Sequence, residues 1–446
     1  MAGPLAVASA VAYWRALMLA RVPANVSVEH RKFLFLQGPP GPFFRLLAQR
    51  LVEQGACVRR INLSGGDKHD WPDDSVNYAG LMRRWPLFFD RVVLDWGITD
   101  LVLFGDCRPV HQVAIRLAQL RGIHVHVFEE GYIRPDWMTL ERDGVNGHSP
   151  ITRDPDLILA AARALPPIPK LPTITADFKR RARDSYWHYH HVFFGKLRFP
   201  FYRTHRQGSL FLDAFGWLLK FARKPRRDAQ AEQTIKCVED KDYFLFPLQL
   251  TGDYQIRAHS PFGSMLVAME YVLASFAGFA PPNVNLLIKE HPLDSGYLDW
   301  RRKIMIQARR LGIEDRVFHI DGGDLQKLTE ASLGMVCVNS TSGTLALEAG
   351  KPVAVLGEAV YDVPGVTHQG GLDKFWSLPE IPDVRLYDAF KRMLHAQCLV
   401  RGGLASKSGV ETLVKNSAER LLAEQTPQAA ENHRPVKRRP SLRRVA

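Results

Sequence analysis

The sequence lacks the long uninterrupted apolar run that a membrane-spanning helix requires. The nearest approach is residues 6–20, which Arg15 interrupts and Arg21 follows. A signal peptide carries its positive charge before its apolar stretch, so this order of charges argues against one. We therefore predict an amphipathic or partly ordered N-terminal helix, in a cytoplasmic protein that can rest on a membrane surface.

Cysteine and acidic residues are both scarce. The five cysteines are widely spaced and form no CxxC pair, which argues against a disulfide framework or a zinc site and favours a reducing compartment. The 46 acidic residues are outnumbered by 59 lysines and arginines, so the net charge is +13. Such a balance implies an anionic partner, namely nucleic acid, acidic lipid or a phosphorylated substrate. No nucleic-acid-binding motif is present, so we expect no nucleic acid partner.

Strand-like and helix-like segments alternate through most of the chain. The strand patterns fall at residues 33–37, 57–63, 100–106, 124–130, 243–250, 285–292, 317–320 and 336–339. Helical patterns separate most of them, and this alternation predicts parallel sheets with helices on both faces. We predict an α/β, GT-B-like fold in which two Rossmann-type domains face a cleft, with a helical basic-aromatic insertion between them.

Proline-rich and charge-rich stretches set the predicted domain limits. They divide the chain into four predicted parts. These are an N-terminal acceptor-side domain (1–165), a linker with the insertion (166–240), a C-terminal nucleotide-binding domain (241–400), and a C-terminal helix with a basic disordered tail (401–446). In the insertion, residues 179–228 mix basic and aromatic side chains, which suits a membrane interface. The alternative is a solvated helical insertion with a partly buried aromatic face. We expect a structural role for its histidines, since no metal-ligand spacing accompanies them.

Residues 336–353 read as a strand, a hydroxyl-rich turn, a helix and a second strand. The turn contains Asn339, Ser340, Thr341 and Ser342. A turn of this kind offers hydroxyls and free backbone N–H groups at a helix start, which are the groups that hold a phosphate. The alternative interpretation is an ordinary N-cap.

Acidic residues end two neighbouring predicted strands of the first domain. Asp106 ends one strand, and Glu129 and Glu130 end the next. Ligands of open α/β sheets bind outside the carboxyl ends of the strands, so we expect these acids to line the cleft. The alternative is that Glu129 and Glu130 cap the next segment or pair with Arg134.

Lys289 and His291 lie near the end of a predicted strand of the second domain. His291 precedes a proline and is either a cleft residue or a satisfied core histidine. Lys289 is either a phosphate contact or a strand-end salt bridge. Asp67 and Asp70 fall in a predicted loop, where we expect them to be solvated. No DxD motif lies at a strand end, so we expect no metal.

Four motifs occur in order, at residues 129–135, 248–260, 288–294 and 338–343. Together they resemble the capsule polysaccharide biosynthesis family, in its KpsS/LipB type of Kdo transferase, over about residues 30–400. The resemblance implies retaining transfer of Kdo from CMP-Kdo to a phosphatidylglycerol-type lipid, which initiates the linker of a capsular polysaccharide. It also implies peripheral placement on the inner face of the inner membrane, no cofactor besides the CMP-Kdo donor, and other capsule biosynthesis and export proteins as partners.

The resemblance also implies roles for individual residues. His291 would contact the CMP phosphate and assist its departure, together with the hydroxyls of the turn at 340–342. Glu130 matches the family's catalytic carboxylate, although relatives can carry Asp there. Retention requires two inversions or a shielded front-face attack, and a carboxylate nucleophile such as Glu130 supplies the first inversion. Asp106 and Glu129 are candidates for the base that deprotonates the acceptor. The alternatives are a transferase using another nucleotide sugar and a non-catalytic scaffold of capsule export.

The basic-aromatic segment generates a first prediction. We expect vesicles containing anionic lipid to bind the protein at least about tenfold less tightly when four of its cations are replaced by alanine, since each surface cation contributes about 1 kcal/mol. The four are Arg180, Arg181, Arg223 and Lys224. Vesicle co-sedimentation measures the effect, and neutral vesicles are the control. Unchanged binding to anionic vesicles would contradict the membrane interpretation.

Overall fold

The computed structural model describes residues 28–169, 171–204, 210–250, 254–292, 294 and 298–423. The predicted N-terminal helix at 6–20 and the basic tail after residue 425 lie outside the described residues. Among the described helices, none combines the length and the apolarity that crossing a bilayer demands.

The strands alternate with helices as the sequence predicts. The strands are β1 (Lys32–Phe35), β2 (Cys57–Asn62), β3 (Val76–Asn77), β4 (Asp100–Phe104), β5 (His124–Glu130), β6 (Trp137–Arg142), β7 (Tyr243–Pro247), β8 (Asn285–Lys289), β9 (Val317–Ile320), β10 (Gly334–Cys337), β11 (Val353–Val355) and β12 (Leu399–Arg401). They form two sheets, in the orders β12-β6-β5-β4-β1-β2-β3 and β11-β10-β7-β8-β9. β1 to β5 run parallel, β6 and β12 run antiparallel at one edge, and the second sheet is wholly parallel.

Helices cover both faces of each sheet. They are α1 (Phe43–Glu53), α2 (Gly65–Asp70), α3 (Trp85–Trp96), α4 (Pro109–Leu120), α5 (Pro155–Ala164), α6 (Phe178–Phe194), α7 (Leu210–Val238), α8 (Tyr254–Ala258), α9 (Met265–Phe279), α10 (Trp300–Arg310), α11 (Leu325–Ala331), α12 (Ser342–Glu348), α13 (Leu372–Phe375), α14 (Val384–Gln397) and α15 (Lys407–Leu422). Short 3-10 turns occupy Val28–His30, Met82–Arg84, Asn146–His148 and Gly195–Leu197.

Strand residues are buried on alternate faces because successive side chains of a strand point in opposite directions. In β1, Phe33 and Phe35 join the core under α1 and α15, whereas Leu34 joins the core under α3 and α4. In β7, Phe244 packs towards α9 and Leu245 towards the opposite face. Burial on both faces explains why these strands read as continuous apolar runs. The predicted α/β fold, with two Rossmann-type domains and a helical insertion, is confirmed.

The chain returns to the first sheet after completing the second. β12 pairs with β6, and α15 packs against the face that α1 covers. The side chain of Arg31 hydrogen-bonds to the backbone carbonyl of Leu421 at the end of α15. Residues 399–422 therefore complete the first sheet, while the limits 1–165, 166–240, 241–400 and 401–446 stay predictions.

Two acids predicted to be solvated are not, so that prediction is wrong. Asp67 is 1% exposed, forms an ion pair with the equally buried Arg60, and accepts hydrogen bonds from the start of α2. Asp70 lies 2.6 Å from the Nδ1 atom of His188, which is in α6. The insertion helix packs on α2 and supplies the partner that a solvated loop would have lacked. This pairing gives His188 the structural role that the sequence predicts.

Phe128 provides a test of the first domain's core. It is fully buried on β5, with its ring 5.3 Å from Phe43 and 5.7 Å from Phe44 between centroids. We expect Phe128→Ala to lower the free energy of unfolding by about 3–5 kcal/mol, because the surrounding side chains cannot fill the cavity that the missing ring leaves. Leu120→Ala, at a position 63% exposed, is the control and should cost under about 0.5 kcal/mol. Urea denaturation measures both, and equal losses would contradict the packing described.

Candidate active site

The acids of the first sheet lie where β4 and β5 end. Gly105 separates β4 from Asp106 and has a φ of +72°, which favours a residue without a Cβ atom. A Cβ atom there would also lie only 3.3 Å from the Oε2 atom of Glu129. The Glu129 side chain therefore crosses over the end of the neighbouring strand, towards Asp106. Acidic residues therefore lie together at this edge of the first sheet, as the sequence predicts.

Glu129 sits in an environment that disfavours its charge. Burial raises its pKa to about 7, and the neighbouring charges of Glu130 and Asp106 act in the same direction. The backbone N–H of Glu130 donates to its Oε1 atom at 3.0 Å, and Arg108 also favours the ionised form. A carboxyl with a pKa near 7 can both accept and release a proton at neutral pH.

Glu130 pairs with a cation of the insertion. Its carboxylate accepts a hydrogen bond from the Nη2 atom of Arg181, on α6, at 2.9 Å. The side chain of Glu130 is 40% exposed, so one side of the carboxylate faces solvent in the cleft. The cation that accompanies this acid comes from the insertion, which the sequence did not associate with the site.

Asp106 is buried and fully engaged in hydrogen bonds. Its Oδ2 atom accepts from the backbone of Val145 at 3.1 Å and lies 2.9 Å from Nδ1 of His148, and its Oδ1 atom accepts from Cys107 at 3.1 Å. Burial alone would raise the pKa of Asp106, but these bonds outweigh it and the pKa lies below its ordinary value. Asp106 is therefore held as a carboxylate with little room for a substrate proton.

Lys289 and His291 end and follow β8 in the second sheet. Burial lowers the pKa of each side chain below its ordinary value. The positive charges of Lys289 and Arg134 lower the pKa of His291 further. Arg134 belongs to the loop after β5, so a charge of the first domain reaches the His-Pro turn of the second.

The Ser/Thr turn precedes α12 at the end of β10. Ser342 donates its backbone N–H to Oγ of Ser340 at 3.1 Å, and the buried Tyr361 hydroxyl donates to the Ser340 carbonyl. Thr341 occupies the N-cap position without a side-chain capping bond. All three turn residues are partly exposed, and the hydroxyls of Ser340 and Ser342 lie 3.0 Å apart. The buried Tyr361 anchors the turn to the core.

His259 connects the two edges. Its carbonyl accepts from Nδ2 of Asn339 at 3.3 Å, and Asn339 is also paired with Gln249 at the end of β7. Its ring Nε2 atom lies 3.0 Å from Sγ of Cys107 in the first domain. The carboxyl ends of the two sheets therefore meet across one cleft.

The predicted site residues thus form two groups. Asp106, Glu129 and Glu130 lie on the first sheet; Lys289, His291, Asn339, Ser340, Thr341 and Ser342 lie at the ends of β8 and β10, on either side of β7. Glu290 instead turns towards α7, where Arg227 donates to it at 3.2 Å beside a cavity of about 240 Å³. Sequence reasoning missed Arg181, Cys107 and His148, because their signal depends on contacts between distant segments.

Comparison with known proteins identifies the family to which the chain belongs. Residues 99–404 match the family model described as capsule polysaccharide biosynthesis protein, which is more than half of the chain. The chain belongs to the capsule polysaccharide biosynthesis protein family. The capsule polysaccharide modification protein LipB of Neisseria meningitidis serogroup B is 35% identical over 380 residues, covering 83% of this chain and 90% of LipB. The capsule polysaccharide export protein KpsS of Escherichia coli is 32% identical over 376 residues, covering 83% and 96%.

Solved structures give a weaker likeness. The β-Kdo 2,7 transferase of Thermosulfurimonas dismutans KpsC aligns with a TM-score of 0.43 at 14% identity, over 86% of this chain and 99% of that one. Its β-Kdo 2,4 transferase aligns with a TM-score of 0.33 at 13% identity, over 73% and 86%. The resemblance to the KpsS/LipB type that the four motifs predicted is confirmed by the sequence comparisons alone.

The raised pKa of Glu129 gives a prediction about stability. Because the folded pKa of about 7 exceeds the ordinary value of 4.5, this group's contribution is fully present below pH 4.5 and is lost as the pH rises through 7. We expect wild type to lose up to about 3 kcal/mol of stability between about pH 5 and pH 8 that Glu129→Gln does not lose. Denaturant melts across that range measure it. Glu53→Gln, at an exposed surface acid, is the control, and parallel wild-type and Glu129→Gln profiles would contradict the assignment.

Proposed function

We propose that this family member is a retaining glycosyltransferase that moves Kdo from CMP-Kdo to a phosphatidylglycerol-type lipid, initiating the linker of a capsular polysaccharide. The observation that carries the proposal is the convergence of acidic strand ends, His-Pro turn and Ser/Thr turn on one cleft. A protein acting only as a scaffold would have no need of that convergence. The family membership and the names of its capsule relatives support the capsular setting.

The donor would bind on the second domain. Lys289, His291 and the turn from Asn339 to Ser342 place a cation, an imidazole, hydroxyls and backbone N–H groups at the ends of strands close in the sheet. These groups would stabilise the negative charge that develops on the CMP phosphate as it leaves. The three acids of the first domain would repel that phosphate. The donor would therefore bind with its phosphate towards the second domain. In this proposal phosphate departure needs no metal.

The sugar would be transferred in two displacements. Glu130 attacks the anomeric carbon of Kdo, a carboxylate–carbon bond forms, and the bond to the phosphate oxygen breaks as CMP leaves. The acceptor hydroxyl then attacks the same carbon, the ester bond to Glu130 breaks, and the hydroxyl proton passes to a base. We assign Glu129 as that base, because a pKa of about 7 matches the task and Asp106 is engaged elsewhere.

The lipid acceptor would reach the site along the insertion. Phe194 at the end of α6 is 65% exposed, Leu197 just beyond it is 97% exposed, and Tyr186 within the helix is 62% exposed. Lys196 places its ammonium 5.2 Å from the ring of Phe193, so cations accompany these apolar groups. Exposed aromatics interleaved with cations suit the headgroup region of an anionic membrane. Since Arg181 of the same helix contacts Glu130, this surface leads directly to the proposed nucleophile.

Two substitutions separate the proposed displacements. Purified protein is incubated with CMP-Kdo and a phosphatidylglycerol analogue, and free CMP and intact protein mass are followed. We expect Glu130→Gln to lower CMP release on the order of a thousandfold, because the first bond cannot form. Glu129→Gln should release about one CMP per chain and accumulate Kdo-modified protein, with turnover reduced about a hundredfold or more.

Glu53→Gln is the control, since its side chain is 63% exposed on α1. It should turn over at the wild-type rate. Bound CMP without product in wild type would mean another sugar or acceptor, and absence of CMP binding would favour the scaffold alternative. Wild-type turnover by Glu130→Gln would overturn the assignment of the nucleophile while leaving the reaction in place.

A further inference from the structure

Four side chains that can ligate a metal meet where the two domains touch. This cleft cluster comprises Asp106, Cys107, His148 and His259. One ligand atom from each lies within 4.8 Å of the others, and three of the four residues are buried. Across the described part of the chain, it is the only group of three or more such residues found together. We propose that the cleft cluster binds one divalent cation of the zinc class and thereby fastens the second domain to the first.

The spacing of the ligand atoms suits a tetrahedral site. Zinc lies about 2.0–2.3 Å from nitrogen, oxygen and sulfur ligands, which sets their mutual distances at about 3.3–3.8 Å. In the cleft cluster, Sγ of Cys107 lies 3.0 Å from Nε2 of His259 and 3.1 Å from Oδ1 of Asp106. The rings of His148 and His259 have centroids 4.6 Å apart. Small shifts, outward for the two short contacts and inward for any pair near the 4.8 Å limit, would place all four ligands at coordination distance.

With His259 neutral, the cleft cluster has too few protons for each of its close contacts to be a hydrogen bond. Three contacts run in a row: Asp106 to Cys107, Cys107 to His259 at Nε2, and His259 at Nδ1 to Glu358. A thiol and a neutral imidazole carry one proton each, whereas three contacts between these groups require three. With His259 as a neutral imidazole, one of these contacts brings two unprotonated atoms together.

A divalent cation removes that conflict. It replaces the thiol proton, which leaves to solvent, and the thiolate, the Asp106 carboxylate and the Nε2 lone pair of His259 then all face positive charge. The one imidazole proton of His259 stays on Nδ1, where the carboxylate of Glu358 accepts it across 3.4 Å. A carboxylate behind a metal-bound histidine is the usual way of fixing its tautomer and orientation. The backbone N–H of Val145 orients Asp106 in the same way.

The ligand set indicates a structural ion. Four protein ligands fill a tetrahedral shell and leave no position for substrate, as in closed zinc sites. Three ligands come from the first domain and His259 from the second, so the ion would bridge the cleft. The absence of a CxxC pair argued against a zinc site, but Cys107 and His259 are 152 residues apart and meet only in the fold. The inference is independent of the proposed transferase reaction, and its test needs no sugar donor.

The test measures metal binding to the full-length chain. The exposed thiols are first removed with Cys57→Ser and Cys237→Ser, so that only buried cysteines remain. After dialysis against a chelator, zinc is titrated in competition with a chromophoric chelator. We expect one ion per chain, a higher melting temperature with zinc, and on cobalt substitution a thiolate-to-metal charge-transfer band.

Three further variants in that background locate the site. Cys107→Ser should abolish the charge-transfer band and weaken zinc binding at least about a hundredfold. Glu358→Gln should weaken it about tenfold to a hundredfold and retain the band. Cys398→Ser, at another buried cysteine, should leave both unchanged.

Two outcomes would overturn the inference. The first is absence of stoichiometric zinc binding by the background protein. The second is a charge-transfer band that survives in a folded Cys107→Ser variant. If Cys107→Ser does not fold, the affinity loss in Glu358→Gln decides, because Glu358 is an exposed residue whose only expected effect is on His259.

Discussion

Parallel strand pairing is the constraint on which the rest of the molecule depends. Parallel strands all end at one edge, so each sheet gathers its polar strand-end residues into a single row. In the first sheet the row contains acids, and in the second it contains a lysine, a histidine and hydroxyls. The contact between His259 and Cys107 brings these rows together. The site is thus the product of two sheets, and neither domain supplies both rows by itself.

The protonation of each acid in the cleft depends on its immediate surroundings. Asp106 stays ionised because an imidazole, a thiol and a backbone N–H surround it. Glu130 faces a guanidinium, and Glu129 is the acid whose pKa burial raises. The strand-end acids are therefore chemically distinct although they are neighbours. On the opposite wall, burial weakens the basicity of Lys289 and His291, which keeps the histidine neutral at physiological pH.

Much of the fold could be predicted from the sequence, since buried parallel strands read as short apolar runs with helices between them. The strand end at Glu130 was predictable for the same reason, whereas β8 ends at Lys289, short of the predicted limit at residue 292. The burial of Asp67 was not predictable, because it depends on Arg60, and neither was the pairing of Asp70, whose partner His188 lies on a helix of the insertion 118 residues later. Arg181 and His148 were invisible for the same physical reason. Their roles arise from tertiary contacts between segments whose local patterns look like solvated helix and loop.

The return of the chain to its first sheet has a consequence for the order of folding during synthesis. β12 supplies the outer strand beside β6, and α15 covers the apolar face that includes Phe128 and Val400. A ribosome makes the first strands long before these parts, so the first sheet emerges with one edge unpaired and one face uncovered. The second sheet, contained within residues 243–355, has all of its strands much sooner. The domain made first is therefore the domain completed last, and its exposed edge and face are the natural binding sites for a chaperone while the chain is growing.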